Sequence, residues 1–212
     1  KEFVDELKFM KQTIIKYNNK EVTVKLHAVI CDAPAKSFVL NCRGHTGRYS
    51  CVRCTTSGEL AQNTSCFPEL DAPLRTHTRF INYQYESFHN GTTVLAEVPD
   101  FDIILSVPYD YMHLVCIGVV KKIISFWISV KHRHNLPPKS IAVLDNKLTS
   151  LAHHIPVEFQ RKPSEYSRTH SLKDINRWKA TELRQCLLYT GIVLFKNDII
   201  DPDIYNHFLV LS

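Results

Sequence analysis

Two cysteines two residues apart, Cys51 and Cys54, can bring two thiolates to one ion from a single tight turn. Cys42 and His45 precede them, so C-x2-H is followed by C-x2-C, which is metal-ligand spacing. With Cys42 and His45 as the local third and fourth ligands, the chemistry is that of a structural zinc site. The plain alternative is a turn with unmetallated cysteines. Asp32 is the first carboxylate of interest. It follows an alternating apolar segment, and the C-terminal edge of a strand is where α/β folds put their chemistry. An Asp at that place also caps a following helix, so both readings stand.

The elements that must position these residues are legible in outline. Val22, Val24, Leu26, Ala28 and Ile30 alternate with Thr23, Lys25 and His27, which predicts a strand running to Asp32, with Pro34 ending it. Phe3, Leu7, Met10 and Ile14 predict an amphipathic helix over 1–17, closed by the turn residues Asn18-Asn19-Lys20. Ala33–Leu40 is expected to form a short helix. The segment 55–108 contains Pro68, Pro73, Pro99 and Pro108 and reads as a long excursion with little regular structure, with short strands near 80–85. Asp110 is placed as the N-cap of an apolar helix over 112–130, with a fourth carboxylate near a metal centre as the alternative. Its lysines, Lys121 and Lys122, argue for a buried helix rather than a membrane span. Ile141, Leu144, Leu148 and Leu151 predict a second helix over 140–154. A third is expected over 178–195, ended or bent by Gly191, and a last one from Asp201-Pro202 onward.

Composition bounds the reading further. Hydrophobic residues make up 44% and charged residues 22% of the 212, ordinary for a folded protein. The chain begins at a charged Lys and reads as a fragment, with no apolar leader. Seven cysteines, four of them isolated, do not make a disulfide framework and point to a reducing compartment. The net charge is +5, unevenly spread: residues 131–184 hold eleven Lys and Arg against five Asp and Glu, whereas residues 55–110 hold two against eight. A basic C-terminal part suits a polyanion, and a solvated helical surface explains it as well. Lys121, Lys122, Arg161 and Lys162 are candidate phosphate contacts. His132, His134, His153 and His154 are paired only by proximity and are expected at the surface. No Ser/His/Asp arrangement and no Gly-rich phosphate loop is present.

Four blocks in order, CDAPAK, HTGRYSCVRC, VPYDYMHLVCIGVVKK and RWKATELRQCLLYTG, resemble the transposase domain of CACTA (En/Spm-type) elements, the animal branch most of all. The resemblance runs from Val22 to Leu211. It implies an RNase H-like catalytic core whose D, D, E carboxylates hold Mg²⁺ or Mn²⁺ and cut DNA. Asp32 falls in the block that carries the second Asp. Glu182 aligns with the final Glu, with Arg177, Lys179 and Arg184 as DNA contacts. A solvent-facing Glu paired with those bases is the alternative. The first Asp of such a triad would lie upstream of Lys1. The same resemblance makes His113 a rival zinc ligand to Cys42 and His45; as the alternative, His113 is a satisfied core histidine. It divides the chain into a strand part of the core with the Cys/His cluster (1–54), an insertion first irregular and then helical (55–175) and C-terminal core helices (176–212). The fold class expected is α/β: a partial RNase H-like core, a mainly helical insertion and a small zinc-binding turn. The implied function is cut-and-paste DNA transposition, with DNA ends and target as partners, a nuclear location, no membrane and room for a homo-oligomer. The alternatives are an inactive, domesticated relic serving as a zinc-stabilised DNA- or protein-binding module, and a purely structural zinc domain.

Overall fold

A computed structural model describes the chain except residues 62–63, 130–131, 133–134, 160–170 and 197–198. His134, Arg161 and Lys162 therefore lie outside the described residues. The architecture is mixed: helices dominate, and the described strands form two antiparallel two-stranded sheets. The chain divides into two compact units, Lys1–Asp110 and Tyr111–Ser212.

The first unit opens with helix α1, Glu2–Gln12. Thr13 is extended, so Ile14 falls outside the helix and is exposed. The buried residue of α1 is Val4, with Leu7 packed behind it, rather than the expected line from Phe3 to Ile14. Strands β1 (Ile15–Tyr17) and β2 (Lys20–Val22) pair as a hairpin. Asn18 and Asn19 both have positive φ, 49° and 59°, which a two-residue hairpin turn requires and asparagine tolerates. The expected strand 22–30 is not one. Alternation of side chains needs a ladder partner to become a strand. Among the described residues, Thr23–Ile30 has none. Its end is fastened instead by a bond from Val29 N–H to Ser106 O (2.9 Å) and by a parallel bridge between Cys31 and Tyr109.

Helix α2, Ala33–Leu40, forms where expected. Asp32 caps it by accepting from Ala35 N–H at 2.9 Å, and Pro34 in the first turn needs no donor. It ends at Asn41, whose left-handed φ of 50° closes the last turn. Strands β3 (Glu59–Ala61) and β4 (Thr64–Cys66) follow, then helix α3, His77–Ile81. That helix replaces the short strands expected near 80–85. Phe80, Tyr85, Phe88, Leu95, Val98, Phe101, Ile103, Ile104 and Val107 are all buried. The segment read as an excursion thus supplies most of the first unit's core, together with Val4, Leu40 and Cys42. Ion pairs Lys8–Glu97 (2.5 Å) and Lys11–Asp100 pin α1 over it.

The regular elements of the second unit are all helices among its described residues. A continuous helix begins at Tyr111, directly after Asp110, and passes through a wide π segment, Met112–Val120, into helix α4, Lys121–Ile128. Cys116, Val120, Ile124 and Trp127 form its buried line. Leu114, Ile117 and Val119 remain exposed, so only one face of the expected buried helix is covered. Helix α5, Pro138–Leu151, buries Ile141, Leu144 and Leu148. Asp145 accepts from Ser171 Oγ (2.7 Å) and Leu172 N–H (2.8 Å), which starts the 3-10 turn Leu172–Arg177. Helix α6, Ala180–Gln185, runs through a second π segment, Cys186–Thr190, into helix α7, Gly191–Phe195. Gly191 bends nothing here. It lets the wide turn pass, because a Cβ would stand 2.4 Å from Cys186 O and 2.8 Å from Phe208 Cζ. Helix α8, Pro202–Leu211, is capped by Asp201, which accepts from Asp203 N–H at 2.8 Å. Trp127, Phe195 and Phe208 meet edge-on or tilted at its base.

Candidate functional site

The thiols of Cys51 and Cys54 stand 3.3 Å apart, and Cys54 N–H points at Cys51 Sγ from 3.4 Å. The turn that carries them is clamped along its far side. Cys54 bridges Leu74, Arg75 N–H bonds Arg53 O (2.7 Å) and Thr55 N–H bonds Pro73 O (3.0 Å). Arg75 is almost fully buried and also gives its Nε–H to Cys51 O at 2.9 Å. Its guanidinium lies over the rings of Tyr85 (4.5 Å) and Phe88 (4.1 Å), which hold a cation out of water at low cost. Burial works against the Cys51 thiolate, but the N–H groups of Cys54 and Arg53, the Cys54 thiol and the Tyr109 hydroxyl outweigh it and hold Cys51 below an ordinary thiol. Cys54 is pushed up by burial and by the Cys51 charge. The pair thus offers two sulfur donors whose thiolate forms are favoured unequally, Cys51 more than Cys54. That donor chemistry fits a soft divalent ion such as zinc.

Tyr109 links this pair to Asp32. Its hydroxyl lies 3.7 Å from Cys51 Sγ. Lys36 Nζ lies 4.3 Å over its ring and donates to Pro108 O at 2.7 Å. Lys36 belongs to α2, the helix that Asp32 caps, and it is 4% exposed. Burial pulls its ammonium below an ordinary lysine. Arg53 approaches the same ring at 5.7 Å and ties its Nη1 to Ile104 O.

Of the other proposed ligands, Cys42 is buried and is not drawn to Cys51 and Cys54. It faces His89 in an antiparallel bridge, flanked by the bonds Arg43 N–H to Phe88 O and Asn90 N–H to Asn41 O. That pattern makes them a non-hydrogen-bonded pair, with side chains close on one face. Burial pushes the Cys42 thiol up to about 11. His89 is packed among Phe80, Tyr83, Tyr85 and Phe88, and neither of its ring nitrogens has a hydrogen-bond partner. Burial and the nearby Arg75 charge hold its imidazole below an ordinary histidine. His45 is exposed. His113 is an exposed residue of the second unit's first helix, not a core histidine. Among the described residues no three His, Cys, Asp or Glu side chains gather as a metal centre, so the structure assembles two of the expected ligands.

Glu182 sits in the second unit, 8% exposed, and is not the solvent-facing residue of the alternative reading. Its Oε2 accepts from Lys179 N–H at 2.5 Å, closing the first turn of α6. Arg177, Lys179 and Arg184 are exposed around it. Arg177 has a long, exposed contact to Asp174 (3.9 Å). Lys121 reaches the same turn by donating to Asn176 O at 3.0 Å, and Lys122 is exposed beside Phe126. The second unit holds fourteen Lys and Arg against eight Asp and Glu, so the whole excess of positive charge resides there. His132, His153 and His154 are exposed, as surface histidines should be. No described helix is long and apolar enough to cross a membrane.

Spacing alone misses Lys36, Arg75, His89 and Tyr109. The first two are isolated cations whose burial only tertiary packing reveals. Tyr109 belongs to a motif block but has no ligand spacing of its own. No family model, no curated protein and no solved structure matches the chain.

Proposed function

We propose that the chain is part of a metal-dependent DNA transposase, one that hydrolyses phosphodiester bonds at element ends and transfers strands in the nucleus. The observation that carries this reading is Glu182, a carboxylate held nearly buried by the turn it caps, with exposed Arg177, Lys179 and Arg184 as its near neighbours in sequence. Phosphodiester chemistry needs a rigid oxygen ligand next to cations that hold the backbone. A bound Mg²⁺ or Mn²⁺ would supply Lewis acidity and an activated water or 3′-hydroxyl. This reading assigns catalytic carboxylate roles to Asp32 of the first unit and to Glu182 of the second, and DNA contacts to the basic side chains. Cys51 and Cys54 hold zinc as a structural ion that keeps the turn fixed to the Asp32 end. An RNase H-like core is the fold this reading requires.

A second reading has its own support. Both carboxylates already serve as helix caps, Asp32 to Ala35 N–H and Glu182 to Lys179 N–H. A relic that binds DNA or protein without cutting would keep those caps for folding alone.

Fluorescence anisotropy on a labelled duplex across a salt series tests the DNA partner. Each phosphate neutralised contributes about −0.9 to the slope of log affinity against log salt. The triple variant Arg177→Ala, Lys179→Ala, Arg184→Ala should flatten that slope by up to about 3 units. An unchanged slope would remove these side chains from the interface, and an absence of binding would remove DNA as the partner.

A further inference from the structure

We propose that the second unit holds a pocket for an unpaired nucleobase of DNA, in which Tyr189 and Phe159 take the base ring and Gln185 meets its edge. The inference deepens the DNA reading above and rests on it.

Two cavities, of about 380 Å³ and about 280 Å³, share Phe159, Gln185 and Tyr189 in their walls. The larger lies in the size range of small-ligand sites. Its wall adds Thr181, Arg184 and Glu158, whereas the smaller is mainly apolar and adds Ile155, Pro156 and Val193. Thr181, Gln185 and Tyr189 follow at steps of four along α6 and the π segment after it, so one helix face carries them into the same space. The rings of Phe159 and Tyr189 stand 5.3 Å apart at 74°. An edge contact covers one ring face at most, and Tyr189 is 52% exposed. An open aromatic face beside a cavity is a stacking platform for a base. Gln185 is 6% exposed, yet among the described residues no hydrogen bond engages its amide. A buried amide needs a partner, and its donor and acceptor side by side match a base edge as they match N6 and N7 of adenine. The Glu158 carboxylate accepts from an exocyclic amine in the same way. Arg184 brings to this wall one of the cations assigned to the phosphate backbone. An aliphatic ligand would leave both the amide and the guanidinium unused. A base stacked inside a duplex cannot enter such a pocket, so its occupant comes from a single-stranded end or an extruded nucleotide. The excess of fourteen Lys and Arg over eight Asp and Glu in this unit favours a strand over a neutral ligand.

The test measures binding of the full chain to a labelled blunt duplex, to the same duplex with a single-stranded 3′ overhang, and to that overhang with 2-aminopurine as its last base. Wild type should bind the overhang about tenfold or more tightly than the blunt end, and the 2-aminopurine fluorescence should change on binding. Tyr189→Ala removes a half-exposed ring, so its far-UV spectrum and melting should stay near wild type. It should lose the overhang advantage and the fluorescence change while blunt-duplex affinity and its salt slope stay. Gln185→Met keeps the length of the side chain without the amide and should weaken overhang binding by about fivefold or more. Equal affinity of wild type for blunt and overhang DNA, or an overhang advantage kept in full by either variant, would overturn the pocket while leaving DNA as the partner. Displacement of the overhang by free deoxynucleotide at a matching concentration would overturn the strand as the source of the base. Absence of binding to all of these DNAs would overturn the DNA reading and the proposal with it.

Discussion

Glu182 offers the sharpest separation of a structural role from a chemical one, because two substitutions divide them. Glu182→Gln keeps an amide oxygen where Oε2 accepts from Lys179 N–H, and glutamine serves at this helix position as well as glutamate. What it loses is a negative charge in the first turn of α6, worth about 0.3–1 kcal/mol. Glu182→Ala loses the charge and also the cap, about 1 kcal/mol, together with the burial of a side chain that is only 8% exposed. The alanine variant should therefore lose about 2–3 kcal/mol and the glutamine variant about 0.5 kcal/mol. In a unit of roughly 100 residues each kcal/mol moves the melting point by about 4–8 °C, so the two differ by about 10 °C. Urea unfolding followed by circular dichroism reads both. In a complete transposase the glutamine variant should be folded and yet unable to cut DNA. Glutamine as damaging to stability as alanine would show that charge, not the cap, holds the turn. A folded glutamine variant that still cuts would remove Glu182 from the metal site.

Gly191→Ala should be destabilising by about 1–3 kcal/mol, the usual cost of overpacking, because its Cβ would meet Cys186 O at 2.4 Å and a π turn cannot yield there without losing its wide bond; a melting point equal to wild type would contradict the close approach. Asp145→Asn should lose about 1–2 kcal/mol in denaturant, since one oxygen still accepts while the other side of the amide faces Ser171 Oγ with a donor. Alkali should loosen both units. Burial raises the thiol of Cys42 to about 11 and that of Cys186 to about 12, against 9.0 for an ordinary one. The native state therefore keeps protons that the unfolded chain has lost, and the stability these groups contribute falls as pH rises from 9 toward those values. The loss between pH 8 and pH 10.5 is on the order of 2 kcal/mol for Cys42 alone, and urea midpoints at those two values measure it. A flat profile over that range would refute the burial of both thiols.

The helices of the second unit were legible because each writes its buried face at a helical period. Ile141, Leu144 and Leu148 sit where the spacing put them, and Asp201-Pro202 starts α8 with a capping oxygen and a residue that needs no donor. The hairpin turn was legible for the same local reason, two asparagines that tolerate positive φ. The segment Thr23–Ile30 failed because alternation reports which side chains share a face, not whether a neighbouring strand exists. The stretch 55–108 failed in the opposite direction. Its prolines break regular elements without preventing burial, and Phe101, Ile103 and Val107 pack as irregular backbone around Phe88. The π segments left only glycines as traces in the sequence, Gly118 and Gly191, where a Cβ would stand 3.2 Å from His113 O and 2.4 Å from Cys186 O.

The candidate site divides along the same line. Cys51 and Cys54 stand out in the sequence because thiols at this spacing on one turn obey a spacing rule, and the structure holds them 3.3 Å apart. What conditions their chemistry is non-local. Arg75 reaches Cys51 O from 24 positions away and Tyr109 reaches Cys51 Sγ from 58. Neither has a spacing rule, since a buried cation or a fixed hydroxyl acts at whatever point the chain returns. Asp32 is held by its local role. Its capping bond fixes the start of α2, α2 carries Lys36, and Lys36 fixes the ring whose hydroxyl meets Cys51. A carboxylate that starts a helix is held rigidly, and rigidity is also what a metal ligand needs. The cap is therefore not an alternative to a role in chemistry. Cutting would have to use the oxygen that the cap leaves over, and Asp32→Asn, which keeps an acceptor for Ala35 N–H, should leave the fold and zinc affinity intact while abolishing any cleavage by a complete protein.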